Sequence, residues 1–429
     1  MKTKYLKISK QIAIILLAVF TIAGIVACGG NSNVTGSDLT QASDSGKIIN
    51  LTSDLPSWGV EYQKEFESTN IEVTPSPTPE PTSYYVVRYA SSGSRFDKAT
   101  LDLVAKTDNL QIYVEDGYTY SRDNIVYVAT KFENNYKQMT NIYGTHTDMD
   151  KNGKIKLFFV NINLNNNSDV VATGYFLPND LIYGSANNGE ILYMDINLLN
   201  SNPRDIAGTV LHEFQHLINF NVNDIQKQSS MSLWLNESLS ESTSILFDSY
   251  VAQSRINEFN KINYYCFYTW NLPSSYGFIN YPSASVFMNW LYNKNGRNSD
   301  IFKKIASSSQ AQDYNKVLKS VSSGSTWQNL LTDWISGVKN GQVSGVYIRN
   351  RSSATLYPGA AIYDGSQVRV NPSTELANPS RYTVTVSKAN TTSGRSAINN
   401  DEVETSLQNN SGPKYIDLVF DRDGKIRKY

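Results

Sequence analysis

Residues 201–219 read SNPRDIAGTVLHEFQHLIN, and this stretch determines how the rest of the chain is interpreted. His212 and His216 are four residues apart, so on a helix both imidazoles lie on the same face. Either of the first two residues of the stretch can cap such a helix, and the proline that follows suits its first turn. The apolar residues recur at helical spacing. The stretch therefore predicts a helix that presents two histidines to one metal ion.

Glu213 occupies the position beside the first histidine that hydrolytic metal chemistry requires. A glutamate next to such a metal can take a proton from water and later deliver it to a leaving amine. The chain has three histidines, and the presence of two of them in this pair argues against a chance arrangement. The third, His146, lies ahead of a predicted strand and is interpreted as a turn or surface residue rather than a ligand.

A catalytic zinc site needs three protein ligands and one open position. The metzincin pattern would continue with glycine and histidine, but Asn219 and Val222 stand at those positions. A better source of a ligand is WLNESLSE, residues 234–241, in which Glu237 and Glu241 share one helix face. Glu237 is the favoured third ligand. The other carboxylate can accept the ring N–H of a ligand histidine.

HEFQHLINFN followed by WLNESLSE resembles the gluzincins, the thermolysin-like clan of zinc peptidases, and within that clan the hyicolysin-type peptidases. The resemblance covers roughly residues 84–340. The fold that it implies is α+β, a gluzincin-like metallopeptidase domain with a small mixed sheet and a helical subdomain that carries the HExxH helix. The roles that it implies are zinc binding for His212, His216 and Glu237, general base for Glu213, and for Glu241 acceptance of the ring N–H of a ligand histidine.

Hydrolysis also requires a donor that stabilises the oxyanion of the tetrahedral intermediate. Tyr281 lies just ahead of the predicted helix Ser283–Tyr292 and resembles the tyrosine that precedes this helix in gluzincins. Tyr276 is a second candidate. Simple aromatic packing is an equally good interpretation of both residues.

A DMDKNG turn at Asp148–Gly153 is a further similarity to the hyicolysin-type peptidases and resembles the first half of a calcium loop. An EF-hand loop would carry glutamate at its twelfth position, where Phe159 stands. A tight turn into the strand Lys154–Ile162 is therefore the favoured interpretation, and calcium binding is the less favoured one.

The first 27 residues combine four lysines with an apolar run that is typical of a secretory signal and short for a membrane span. The run ends in Ile-Val-Ala-Cys28, which resembles a bacterial lipobox, so cleavage before a lipidated Cys28 is predicted; an uncleaved anchor helix is the alternative. Cleavage shifts the formal net charge from −1 to −5, because four lysines leave and no acid does. We expect an extracytoplasmic lipoprotein, held at the membrane by acyl chains on Cys28, without a nucleic-acid partner.

Composition divides the remainder of the chain into three parts. Residues 28–83 are rich in Gly, Asn, Ser and Pro and predict an extended tether. Residues 84–345 form the predicted peptidase domain, and residues 346–429 carry short alternating runs that predict a small all-β C-terminal module. Strands are predicted at Tyr84–Tyr89, Leu110–Val114, Lys154–Ile162 and Glu190–Ile196. Helices are predicted at Asn124–Thr140, Ile206–Phe220, Leu233–Val251, Ala284–Tyr292, Ile301–Ala306 and Trp327–Val338.

The sequence thus predicts a monomeric peptidase with one zinc ion per chain and a protein or peptide substrate. Glu190–Asp195 is hypothesised to be an edge strand with which an extended peptide could pair. The alternative is a surface binding protein or adhesin that retains the fold without turnover. Glu213 discriminates between the two, because a protein that only binds has no need of a general base.

Overall fold

The chain is described by a computed structural model. The described residues are 82–90, 93–164, 170–181, 187–270, 277–321, 325–387 and 414–419. The predicted signal segment 1–27, Cys28, the tether up to residue 81 and Tyr276 lie outside the described residues. None of the described helices combines the length and the apolar content that a bilayer crossing requires.

Strands form one large sheet and two small ones. The described strands are β1 (Thr82–Ala90), β2 (Gly93–Lys106), β3 (Leu110–Glu115), β4 (Ile155–Val160), β5 (Val170–Phe176), β6 (Ile191–Asp195), β7 (Ser353–Leu356), β8 (Ala361–Tyr363), β9 (Val368–Val370), β10 (Val384–Ser387) and β11 (Lys414–Val419). The large sheet has seven strands in the order β1-β2-β3-β4-β6-β5-β11. Its central strands β3, β4 and β6 run parallel, whereas β5 is antiparallel to β6. The fold is therefore mixed α+β.

Strand β6 lies inside the sheet, hydrogen-bonded to β4 on one side and to β5 on the other. The hypothesis that residues 190–195 form an edge strand for a bound peptide is therefore wrong. The error has a topological cause, since β5 precedes β6 in the chain but is placed outside it in the sheet. The five residues of β6 are all buried, as a central strand requires.

Helices follow β3 and dominate the chain after β6. The described α-helices are α1 (Arg122–Tyr143), α2 (Ile196–Ser201), α3 (Pro203–Asn219), α4 (Leu233–Phe247), α5 (Ser249–Lys261), α6 (Gly277–Lys294), α7 (Asp300–Ser307), α8 (Asp313–Val321) and α9 (Trp327–Lys339). The single helix predicted for residues 233–251 is wrong, because the chain breaks at Asp248. The Asp248 side chain accepts the backbone N–H groups of Tyr250 and Val251 and so caps α5.

Hydrophobic residues fill both faces of the central sheet. In β4, Leu157 and Phe159 belong to the core beneath the helices, while Phe158 and Val160 belong to a smaller core on the other face. Helices α1 and α3 cover the first face together, and the rings of Phe132 and Phe214 meet between them at 4.9 Å. This packing fixes α3, which carries the HExxH motif, against the sheet.

The C-terminal segment packs on the rest of the chain. Tyr265 and Ala361 exchange backbone hydrogen bonds of 3.3 and 2.8 Å, and Leu356 and Ile362 belong to the core beneath the helices. Strand β11 pairs in parallel with β5 of the large sheet. These contacts do not mark out a separate all-β module, so the module that was predicted from residue 346 onward remains a prediction.

Candidate metal centre

Helix α3 begins as its sequence requires. Asn202 is the N-cap, and its side chain accepts the backbone N–H of Asp205, while Pro203 takes the first helical position. The predicted helix is thus present, with His212 and His216 both 5% exposed on its inner face.

The two imidazoles and the Glu237 carboxylate converge on a single point. The Nε2 atoms of His212 and His216 are 3.1 Å apart. His212 Nε2 lies 3.3 Å from Glu237 Oε2, and His216 Nε2 lies 3.7 Å from Glu237 Oε1. Ligand atoms held by a tetrahedral zinc at about 2.0–2.2 Å lie roughly 3.3–3.6 Å from one another. The observed separations of 3.1–3.7 Å lie close to this range, so the three side chains are spaced as zinc ligands are.

Glu237 lies on α4, is fully buried, and makes no hydrogen bond through either carboxylate oxygen. Burial by itself would raise the pKa of Glu237, but the facing imidazoles of His216 and His212 outweigh it and lower the pKa to about 2. The side chain is therefore an ionised carboxylate inside the protein. Such a group is costly to bury unless a cation satisfies it, and a divalent metal between these atoms would do so.

The outer nitrogen of each imidazole has its own oxygen partner. His216 Nδ1 lies 3.0 Å from Asn236 Oδ1, and His212 Nδ1 lies 3.6 Å from Glu241 Oε1. A proton on His216 Nδ1 would be donated to Asn236, and one on His212 Nδ1 would face the Glu241 carboxylate; both Nε2 lone pairs would then be directed at the shared point. This is the tautomer that metal-binding histidines adopt. The donor set therefore fits zinc as well as the distances do.

Two of the outer residues carry no signal in the sequence. Asn236 accepts from Asn219 Nδ2 at 2.8 Å as well as facing His216, so the amide is held in place. Arg255 on α5 donates to both oxygens of Glu241, at 2.9 and 2.8 Å. Neither an amide acceptor nor an arginine from the next helix has a characteristic spacing from the motif.

Glu213 follows His212 on α3, and its side chain is buried, with 1% of the residue exposed. A small cleft beside it is lined by Thr209, His212, Glu241 and Arg255. The cleft lies on the side of His212 that faces Glu241, and the proposed ligands themselves are buried.

Tyr281 lies near the metal centre, but its place in the helix differs from the prediction. Helix α6 begins at Gly277, so Tyr281 lies within it, and the expected start at Ser283 is wrong. Pro282, next to Tyr281, lies inside the helix, in its second turn. The Tyr281 ring is 2% exposed and its centroid is 6.2 Å from that of His212.

His146 has neighbours other than the proposed ligands. Its Nε2 atom lies 2.8 Å from the hydroxyl of Tyr136, and its ring centroid lies 5.8 Å from that of Phe214. Phe214 packs into the core beneath the helices. Among the described residues, the group that could hold a metal on α3 and α4 consists of His212, His216 and Glu237.

Comparison with known proteins gives one informative similarity. No protein-family model matches the chain. The chain is similar to the neutral metalloprotease ShpI of Staphylococcus hyicus, with 24% identity over 258 residues, which cover 56% of this chain and 58% of that protein. The chain thus spans little more than half the length of this relative. The similarity supports a metallopeptidase function in general terms.

Proposed function

We propose that this chain is a zinc-dependent peptidase of the gluzincin kind, close to the hyicolysin-type enzymes, that hydrolyses peptide bonds of protein or peptide substrates. The observation that carries the proposal is the convergence of His212, His216 and Glu237 at zinc-like separations. A structural zinc site would be expected to have four protein ligands. The described group has three protein ligands, so one coordination position of the zinc ion would remain open for water or substrate.

Each residue of the centre then has a defined task. Zinc, when bound by the three ligands, supplies Lewis acidity toward water and toward a peptide carbonyl. Glu213 accepts the proton of the attacking water on its carboxylate and passes it to the leaving amine. Tyr281 donates its hydroxyl to the oxyanion that forms on the substrate. Burial of these groups excludes bulk water and strengthens their electrostatic effect.

We place the enzyme outside the cytoplasm, as a lipoprotein anchored through Cys28 and separated from the membrane by the tether that ends near residue 83. The lipobox-like sequence and the Pro-rich segment support this location. Labelling of expressing cells with a clickable palmitate analogue tests it. Wild type should take up the label, and Cys28→Ser should not.

Zinc content and casein cleavage, measured on the same preparations, test the function. Wild type should hold one zinc ion per chain and cleave casein. Glu213→Gln is isosteric and leaves the three proposed ligands in place, so it should keep the zinc ion and lose at least about 100-fold in activity, in keeping with loss of a general base. Glu375→Gln, at an exposed position, is the matched control and should keep both.

The same assay separates the peptidase from its alternative. A surface binding protein would hold zinc and cleave nothing. Equal cleavage by wild type and Glu213→Gln would contradict the mechanism, and absence of zinc from wild type purified without chelators would contradict the metal centre itself.

A further inference from the structure

The DMDKNG turn holds two carboxylates close together by means of its own backbone. Gly153 donates its N–H to Asp148 Oδ1 at 3.0 Å, and Asn152 donates its N–H to Asp150 Oδ1 at 3.3 Å. Lys151 and Gly153 adopt positive φ values of 57° and 68°, so the chain doubles back within the turn. Two exposed acids in a turn are common without a bound ion, and the turn alone indicates nothing more.

A third carboxylate reaches the turn from a distant part of the chain. Glu190 precedes β6 and is 1% exposed, and its Oε1 accepts the backbone N–H of Met149 at 2.9 Å. Its second oxygen, Oε2, is buried and has no hydrogen-bond partner. Ligand atoms of Asp148, Asp150 and Glu190 all lie within 4.8 Å of one another. A buried, unsatisfied carboxylate oxygen beside two further acids is a destabilising arrangement unless a cation binds there.

One lysine is already present, and it does not balance the charge. The Lys156 ammonium contacts Asp150 Oδ2. Within the described part of the chain, no ion pair involves Asp148 or Glu190. The cluster therefore retains two negative charges after this ion pair is counted. Gly189 leaves room for this ion pair, since a Cβ atom there would come within 2.8 Å of Lys156 Nζ and 3.1 Å of Asp150 Oδ2.

We propose that Asp148, Asp150 and Glu190 bind a calcium ion. All of the donor atoms are carboxylate oxygens, which are hard ligands. Calcium prefers such ligands, whereas zinc prefers sites that include softer nitrogen or sulfur donors. The sequence made calcium the less favoured interpretation because position 159 carries phenylalanine in place of the EF-hand glutamate. Glu190 supplies a carboxylate instead, from the residue just before β6. Water would complete a coordination shell of the size that calcium takes.

The ion would join two parts of the sheet that lead to the metal centre. Asp148 and Asp150 precede β4, and Glu190 precedes β6, which continues directly into α2 and then α3. Calcium would therefore stabilise the entry of the chain into the helix that carries the HExxH motif. The expected effect is on stability, and the proposal does not depend on whether the chain is a peptidase.

Thermal unfolding of the full chain in calcium-free buffer, followed by titration with calcium chloride, tests the proposal. Glu213→Gln is used as the background, with zinc kept saturating, so that self-digestion cannot affect the result. Calcium should raise Tm by about 3–6 °C, with half-saturation at about 0.1–1 mM. Magnesium chloride at equal concentration should have less than half of this effect, because magnesium requires a tighter octahedral shell.

Substitutions locate the effect. Asp148→Asn and Glu190→Gln should each abolish most of the calcium-dependent rise, whereas Asp116→Asn, an exposed acid elsewhere, should retain it. Glu190→Gln removes a buried charge, so without calcium it should unfold at or above the Tm of the background and with calcium below it. The proposal is overturned if calcium stabilises no more than magnesium, or if Asp148→Asn and Glu190→Gln respond to calcium as the background does.

Discussion

Arg255 binds both carboxylate oxygens of Glu241, with Nε 2.9 Å from Oε2 and a terminal nitrogen 2.8 Å from Oε1. Glu241 is 2% exposed, and its Oε1 lies 3.6 Å from Nδ1 of His212. This separation is longer than a hydrogen bond, so the carboxylate acts on the imidazole mainly through its charge. The arginine fork fixes the plane of the carboxylate and supplies the positive charge that a buried acid needs.

The first prediction concerns this fork. Arg255→Lys keeps the positive charge but cannot hold both oxygens of Glu241, so His212 should be oriented less firmly. We expect the affinity for zinc to fall about 10-fold or more, measured by competition with a chromogenic chelator. Activity at saturating zinc should fall much less. Arg297→Lys, at an exposed position, is the control, and equal zinc affinity in both variants would show that the fork has no role at the metal centre.

The second prediction concerns Asn236, which faces the other ligand imidazole. Asn236→Ala removes the amide oxygen that accepts from His216 Nδ1 and leaves the Ser240 hydroxyl 3.1 Å from that nitrogen, so zinc affinity should fall by about 10-fold or more. Asn236→Asp restores an acceptor and adds a negative charge, so zinc should bind at least as tightly as in wild type. Isothermal titration of metal-free protein compares the three. A loss in Asn236→Asp as large as that in Asn236→Ala would rule out the acceptor role.

Local sequence patterns predicted the proposed metal ligands. Long-range packing determines which residues surround them. The spacing of His212 and His216 fixes their common face on any helix, so their convergence followed from the sequence. Arg255 reaches Glu241 only because the chain breaks at Asp248 and α5 folds back. No periodicity in the sequence encodes that return.

The sheet shows the same limit. Strands β4 and β6 were predicted because buried central strands are continuous apolar runs. Strand β2 was missed because its sequence GSRFDKATLDLVAK mixes charges with apolar residues, and it is held by pairing with β1 and β3. The order of β5 and β6 in the sheet was likewise inaccessible, since pairing partners are chosen in three dimensions.

The third prediction concerns removal of the metal. Without zinc, the buried Glu237 carboxylate loses the cation that satisfies it, so 1,10-phenanthroline should lower the Tm of wild type. Zinc at 100 times its Kd stabilises the folded state by about 2.7 kcal/mol. Glu237→Gln removes the charge and one ligand together, and its Tm should be nearly insensitive to the chelator. Glu375→Gln should behave as wild type. If the chelator lowers the Tm of Glu237→Gln as far as that of wild type, the carboxylate is not a ligand.

The fourth prediction concerns pH. Burial raises the pKa of Asp180 to about 7, although Tyr193 donates its hydroxyl to the carboxylate at 2.6 Å. In the unfolded chain the pKa of aspartate is about 3.9, so between about pH 4 and 7 the folded state binds more protons than the unfolded state. Stability contributed by this group is therefore complete below about pH 4 and is lost as the pH rises through 7.

Asp180→Asn can still accept from Tyr193 and does not titrate, so its Tm should fall less than that of wild type from pH 5 to pH 8. Asp116→Asn should follow wild type, and parallel curves for wild type and Asp180→Asn would show that Asp180 is already ionised throughout this range.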